Sequence, residues 1–347
     1  MRTSRTIIIV LLITGLCHGA SSLESQVDVS SYFDSNPTEH LSNPQGTLGL
    51  KAKGSIKYFG SHPSTVLFGS MVGQGFIEPV FAHGSKVIID AQAGVKQRLS
   101  RKLQATGIIE TFQKLHLYDL RHSKRSSFDL HLDRAGQGSY QQQLGYTYIS
   151  NQIDYGSLLM FDEYRVYLNY SRSFLTRMVG EMTLTRGLVF YDDVPARIFN
   201  QDILTLVDNE LQEDQFWQLL VHLKITGKFI YGASMSFENV YSNSVVSDAQ
   251  VWIARLYASG RLGDNYFLHA VFQGMNKNYK YPGVISIGSD GDPEERVQNQ
   301  FHLQLERVLE DGNTLYFQYS YLKNETLVTR WFYDKNQFEL GIKMNLK

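Results

Sequence analysis

The sequence predicts an all-β fold in which antiparallel strands close into one transmembrane β-barrel. Three observations carry the prediction: hydrophobicity that alternates with a period of two, segments of roughly 10–14 residues, and no long apolar run after the first ~20 residues. With no second apolar run there is no spanning helix, and only helices and closed barrels satisfy every backbone polar group in lipid.

The alternation is clearest at the C-terminal end. Phe338, Leu340, Ile342, Met344 and Leu346 are apolar, while Gln337, Glu339, Gly341, Lys343 and Asn345 are polar or small. Side chains on a strand point alternately to its two faces, so one face is apolar and the other wet. A helix would scatter the five apolar residues around its circumference. Upstream, Leu48, Leu50, Ala52, Ile56 and Tyr58 alternate with Lys51, Lys53, Ser55 and Lys57. Val87, Ile89, Ala91, Ala93 and Val95 alternate with Lys86, Asp90, Gln92 and Lys96. The same pattern places Glu163 and Arg165, Lys224, Glu238, Glu306, Glu339 and Lys343 on wet faces, with Glu110 and Asp129. Soluble sandwiches alternate too, but their strands cluster near 5–6 residues, whereas a tilted membrane strand needs about 9–11.

The connections are by turns short and long. Short ones fall at Gly60-Ser-His-Pro63, Ser100-Arg101, Ala135-Gly-Gln-Gly138, Gly227-Lys228, Gly263-Asp-Asn265 and Glu310-Asp-Gly312. Longer ones fall near 35–45, 77–85, 117–124, 151–157, 192–213, 280–295 and 327–334. This asymmetry predicts roughly 16 strands (14–18), with tight turns at one end and longer loops at the other. The segments 125–134 and 246–260 are poorly patterned. Tyr58-Phe59, Phe190-Tyr191, Phe216-Trp217, Tyr266-Phe267 and Trp331-Phe332-Tyr333 lie near predicted strand ends, where aromatic rings form interfacial girdles.

Arg2 and Arg5, the apolar stretch 7–16 and Cys17-His-Gly-Ala20 read as a secretory signal over 1–20, leaving 21–347 as one barrel domain. Lipidation at Cys17 normally needs a small residue before the cysteine, and Leu16 stands there. Cys17 is the single cysteine, so a chain cleaved after it has no disulfide, thiolate metal site or cysteine nucleophile. Lys+Arg number 33 against 34 Asp+Glu, which gives no bulk attraction for nucleic acid.

Chemistry-bearing motifs are sparse. Neither a Gly-x-Ser-x-Gly elbow nor a His-Glu-x-x-His motif is present. His116, His122 and His131 lie near Asp119, Asp129 and Asp133, but their spacing matches no metal-ligand pattern. Asp290, Asp292, Glu294 and Glu295 form an acidic loop that reads as a solvated turn or a divalent-cation loop. No catalytic residue, cofactor or metal is therefore assigned. In the longest connection, 192–214, Ile203, Leu204, Val207 and Leu211 fall near helical spacing, with Asn200 or Asp202 as a cap. That segment is expected to shape the entrance or to sit over it. Lys51, Lys53 and Lys57, on one strand, make a candidate anion-attracting stripe.

The stretch Glu339-Leu-Gly341-Ile-Lys-Met344-Asn-Leu346 resembles the assembly signal on the last strand of Gram-negative outer-membrane β-barrel proteins, with Phe338 beginning its apolar face. The signal's last place, aromatic in that class, holds Leu346 and is followed by Lys347. Tyr32-Phe-Asp-Ser-Asn36 resembles the aromatic-Asp-Ser-Asn opening of some of these barrels. The resemblance implies an outer-membrane protein that meets lipid and the outer-membrane assembly machinery. The length of the chain and the polar inner faces of its strands, read as lining a lumen, point to a porin-like channel for small polar solutes or ions, of unknown oligomeric state. A plugged barrel anchoring a surface or periplasmic complex, and a surface hydrolase using the 116–131 region, are the alternatives.

Overall fold

A computed structural model of the chain describes residues 20–35, 46–79, 84–118, 122–136, 140–154, 158–200, 203–244, 248–280, 299–324 and 333–346. Sixteen strands run through them. The first eight are β1 (Ala20–Asp34), β2 (Thr47–Ser61), β3 (Thr65–Ile77), β4 (Lys86–Arg98), β5 (Leu103–His116), β6 (His122–Ala135), β7 (Tyr140–Asp154) and β8 (Leu158–Leu175). The second eight are β9 (Met178–Asn200), β10 (Ile203–Thr226), β11 (Phe229–Ser242), β12 (Ala249–Arg261), β13 (Tyr266–Tyr279), β14 (Asn299–Val308), β15 (Thr314–Asn324) and β16 (Tyr333–Leu346). Each pairs antiparallel with the next, and β16 pairs with β1 to close the barrel. The two poorly patterned segments form β6 and β12.

The turn end, with the start of β1 and the finish of β16, has connections of two to five residues; at the other end they are mostly longer. There, the one expected at 151–157 shrinks to 155–157 because β7 runs on to Asp154, and only 201–202 separate β9 from β10. At the turn after β14, Gly312 adopts φ 83°, where a side chain is disfavoured, and its N–H donates to the Leu309 carbonyl. The β8–β9 turn at 176–177 carries no glycine or proline, and sequence reading passed over it. The acidic loop at 290–295 and residues 1–19 of the expected signal segment lie outside the described residues, while Ala20 begins β1.

The expected loop at 192–214 is instead a hairpin. The ladders with β8 and β11 end at Tyr191 and Asp214, and beyond them β9 and β10 continue as a two-stranded ribbon. The helical spacing of Ile203, Leu204, Val207 and Leu211 comes from register shifts between Leu206 and Leu211 and between Leu211 and Glu213. A bulge inserts a residue and resets the period-two phase, which mimics a longer period.

Aromatic doublets divide between the faces. Tyr58, Phe190, Trp217 and Tyr266 face outward, whereas Phe59, Tyr191, Phe216 and Phe267 face inward, because neighbours on a strand point oppositely. Rings on the outer face meet across strands: Tyr148–Tyr164 at 5.2 Å, Tyr164–Phe190 at 5.8 Å, Phe301–Tyr319 at 6.2 Å and Tyr319–Phe338 at 5.0 Å. Trp331 and Phe332 lie outside the described residues.

Several inward rings lie flat over a glycine directly opposite on the next strand. The pairs are Tyr32 on Gly49, Phe68 on Gly94, Tyr167 on Gly145, Phe216 on Gly187, Tyr257 on Gly232 and Tyr316 on Gly341. Each ring covers backbone that a glycine leaves bare and keeps its bulk within the wall. A Cβ at Gly341 would come within 2.7 Å of the Tyr316 ring and 2.6 Å of the Ser30 Cβ. Gly341→Val is therefore expected to lower barrel stability by about 1–3 kcal/mol through overpacking. Urea midpoints of the detergent-folded protein measure this, and adding Tyr316→Ala should recover part of the loss.

Candidate functional site

The strand register sorts the sequence-predicted residues onto one face of the wall. Glu339 stands opposite Tyr32 and Gln318, Lys343 opposite Asp28, and Lys53 opposite Asp28 on the other side of β1. Carried strand by strand round the barrel, this face holds Lys51, Lys53 and Lys57 on β2, and Lys86, Asp90 and Lys96 on β4. It also holds Glu110, Asp129, Glu163, Arg165, Lys224, Glu238 and Glu306. The opposite face bears exposed Leu48 (67%), Leu50, Ile56, Leu219, Leu256, Phe317 and Leu340 (61%). Phe338, Met344 and Leu346 of the closing strand share that apolar face, whereas Gly341 points inward.

Glu339 is the centre of an inward network across the closure. Its carboxylate accepts from Lys51 Nζ at 2.9 and 3.0 Å and from Ser30 Oγ at 2.8 Å, and the Tyr316 hydroxyl lies 2.5 Å away. The Tyr316 oxygen also lies 2.8 Å from Asp28 Oδ1. These groups come from β1, β2, β15 and β16, so one carboxylate ties four strands. The Lys51 and Glu339 side chains are 16% and 9% exposed. Lys343 pairs with Glu306 beside them.

The seam is also fastened at its loop end, by residues of the aromatic-Asp-Ser stretch. Gln337 donates to Asp34 Oδ2 at 2.7 Å, and Lys335 Nζ lies 3.7 Å from the same oxygen. Ser35 N–H donates to the Asn336 carbonyl, and Asn336 N–H donates to Ser35 Oγ at 2.8 Å. The Tyr32 hydroxyl donates to Glu78 Oε1 at 2.8 Å, just beyond β3. Burial pushes the Glu78 carboxyl above the usual carboxylate range, with the Tyr32 hydroxyl opposing that shift.

The three lysines of β2 are not equivalent. Lys51 is held by Glu339 and lies 5.8 Å from the Phe76 ring, whose centroid is 5.5 Å from Lys86 Nζ. Lys53 and Lys57 continue the row toward the turn end.

The three histidines do not form one site. His122 and His131 are nine residues apart on β6, so they face opposite sides of the wall. His116 lies at the loop end of β5, and His131 stands opposite Thr106, ten residues lower on that strand. His131 lies between Asp129 (2.5 Å) and Asp133 (3.5 Å), with Thr147 and Tyr167 also on Asp129. Among the described residues no group of three His, Cys, Asp or Glu is placed to hold a metal ion. Asp119 lies outside the described residues.

Sequence reading missed an inward apolar patch. Ile153, Phe161, Val189, Tyr191 and Phe216 form a buried cluster on β7–β10, with Leu159, Val194 and Val240 packed against it. It lies on the inner wall at the base of the ribbon. A signal was present: Leu188-Val-Phe-Tyr191 is apolar at every position, so it supplies both faces.

No protein-family model and no curated protein matches this sequence. Solved structures that resemble the fold include a loop L8 deletion mutant of OmpT, an outer membrane protein of Vibrio cholerae, at 9% identity and TM-score 0.46, covering 94% of this chain and 100% of that one. A triple mutant of the Rhodopseudomonas blastica porin has 8% identity and TM-score 0.43, with 94% and 100% covered. The Ralstonia pickettii toluene transporter TbuX has 9% identity and TM-score 0.39, with 96% and 90% covered. The likeness to each is one of overall shape.

Removing the Glu339 carboxylate strands Lys51 and unpins the seam. Glu339→Ala is expected to cost about 3 kcal/mol. The expected readout is a lower melting temperature of the folded band on unboiled gels, with Lys51→Met in the same chain restoring part of the loss.

Proposed function

We propose that this chain is an outer-membrane channel that passes small polar solutes or ions. One observation carries the reading: a closed wall of sixteen strands with leucines and aromatics on its outside and ionisable side chains on its inside. An apolar exterior of this extent is stable in lipid, and a charged interior needs water. The period-two closing strand, with Phe338, Met344 and Leu346 on the lipid side and Gly341 on the other, supports assembly by the machinery that inserts such barrels. The secretory signal read from 1–20 supports export.

Within the interior, Lys51, Lys53, Lys57, Lys86 and Lys96, with Asp90, line one arc on β2–β4, and Glu110, Asp129 and Glu163 stand with Arg125 and Arg165 on the arc of β5–β8. Next to the second arc, β9 and β10 run on past their ladders with β8 and β11, which makes the rim of the mouth uneven.

Refolded protein added to a planar bilayer should give discrete conductance steps, and a correctly folded but silent barrel would overturn the channel reading. In a salt gradient the reversal potential should favour anions. Lys53→Glu with Lys57→Glu should shift the permeability ratio toward cations by roughly twofold or more; an unchanged ratio would remove the lysine row from the pathway.

A further inference from the structure

The inner wall between β4 and β8 contains a concavity of about 410 Å³ with a particular charge pattern. Its size falls within the range of small-molecule sites. The register arranges most of its lining in three rows. Below the Ser123–Ile153 pair at the loop end, Phe112, Arg125, Asn151 and Phe161 stand abreast on β5–β8. Below them come Glu110, Ser127, Ile149 and Glu163. In the third row, Asp129, Thr147 and Arg165 stand abreast on β6–β8.

Both signs are present on each flank of an uncharged middle strand. The middle strand, β7, contributes only Thr147, Ile149, Asn151 and Ile153, all uncharged. Charged side chains stand on its flanks: Glu110, Arg125 and Asp129 on one side, Glu163 and Arg165 on the other, while Lys124 borders it from a position that faces outward. Glu163 takes Arg165 Nε at 2.6 Å, which orients the guanidinium, and the Arg165 side chain stays 35% exposed. Glu110 is half-buried and accepts from Ser127 at 3.4 Å. Three strand spacings, about 14 Å of wall, separate the β5 and β8 backbones. Ile108 and Phe112, half-buried, and Ile149 supply apolar surface between them.

We propose that this concavity is a binding subsite for small zwitterions with an apolar body, the chemistry of an amino acid or short peptide. The carboxylate goes to Arg165, the ammonium to Glu110, and the apolar body lies over Ile149 and Ile108. A simple anion would meet Arg165 but also face Glu110, Asp129 and Glu163; a simple cation would meet the reverse conflict. A sugar would want an open aromatic face, but Phe161 is 5% exposed and the Arg125 guanidinium covers Phe112 at 5.6 Å. The subsite rests on the channel reading, since it opens on the interior of the barrel, but its binding is measured apart from conduction.

The experiment is saturation-transfer NMR on the full-length barrel folded in detergent. The ligands are leucine, 4-methylpentanoate (no ammonium), isopentylamine (no carboxylate) and glucose. Leucine should receive saturation and outcompete each of the others by about tenfold or more. Arg165→Gln and Glu110→Gln should each weaken leucine by about tenfold and narrow its margin over the single-charge ligands. Equal transfer to all four ligands, preference for a single-charge ligand or for glucose, or no transfer to leucine would overturn the proposal. Because the ligand series is run on the unaltered chain, the answer does not depend on either variant folding. A conducting barrel without leucine preference refutes the subsite alone, and a silent barrel that prefers leucine refutes the channel alone.

Discussion

The structure depends on the closure of β16 onto β1. A sheet with an apolar outer face has open edges unless it closes, and an unpaired edge in a lipid environment costs several kcal/mol per exposed backbone group. The closing ladder runs from Ser25 opposite Leu346 to Asp34 opposite Gln337. It joins residues more than 300 positions apart in the chain, so its loop-closure entropy is large. The polar side chains gathered along it, Glu339 above all, act where the backbone alone is least secured. Glu339 is inward, buried and shared by four strands, and thus the carboxylate of an assembly-signal-like stretch is also the strut of the finished seam.

Closure also fixes the two faces. With sixteen antiparallel strands the register must return to its own phase after one circuit, so a side chain inward on β1 remains inward when reached from β16. The charged positions therefore converge on a common interior, and the leucines and aromatics are left to a common exterior. Glycine has a specific part in this arrangement, giving inward tyrosines and phenylalanines a place to lie flat.

The period-two runs made the strands legible in the sequence, and with them the inward row of charges, because alternation along a strand converts directly into sidedness. The closing strand was legible for the same reason. The ribbon at 192–214 was not, since its bulges break the phase on which that reading relies. Nor was the cluster of Phe161, Val189 and Phe216, because inward apolar residues contradict the rule of apolar outside and polar inside. The histidines are near in sequence but not in space: His116 and His131 are separated by most of the length of β5. Which charges meet, as with Lys51 and Glu339 across β1, needs the closed register and cannot be seen in either strand alone.

The most direct test of the account is the environment of alternate positions on β16. Single cysteines carrying a nitroxide label, introduced into a chain with Cys17 replaced, would be reconstituted in lipid vesicles. Labels at 340, 342 and 344 should be relaxed by oxygen, which concentrates in lipid, and labels at 337, 343 and 345 by a water-soluble nickel complex. A period of two in that ratio, in this phase, is the predicted result. Water accessibility at every position, or the opposite phase, would contradict a lipid-facing exterior and with it the channel.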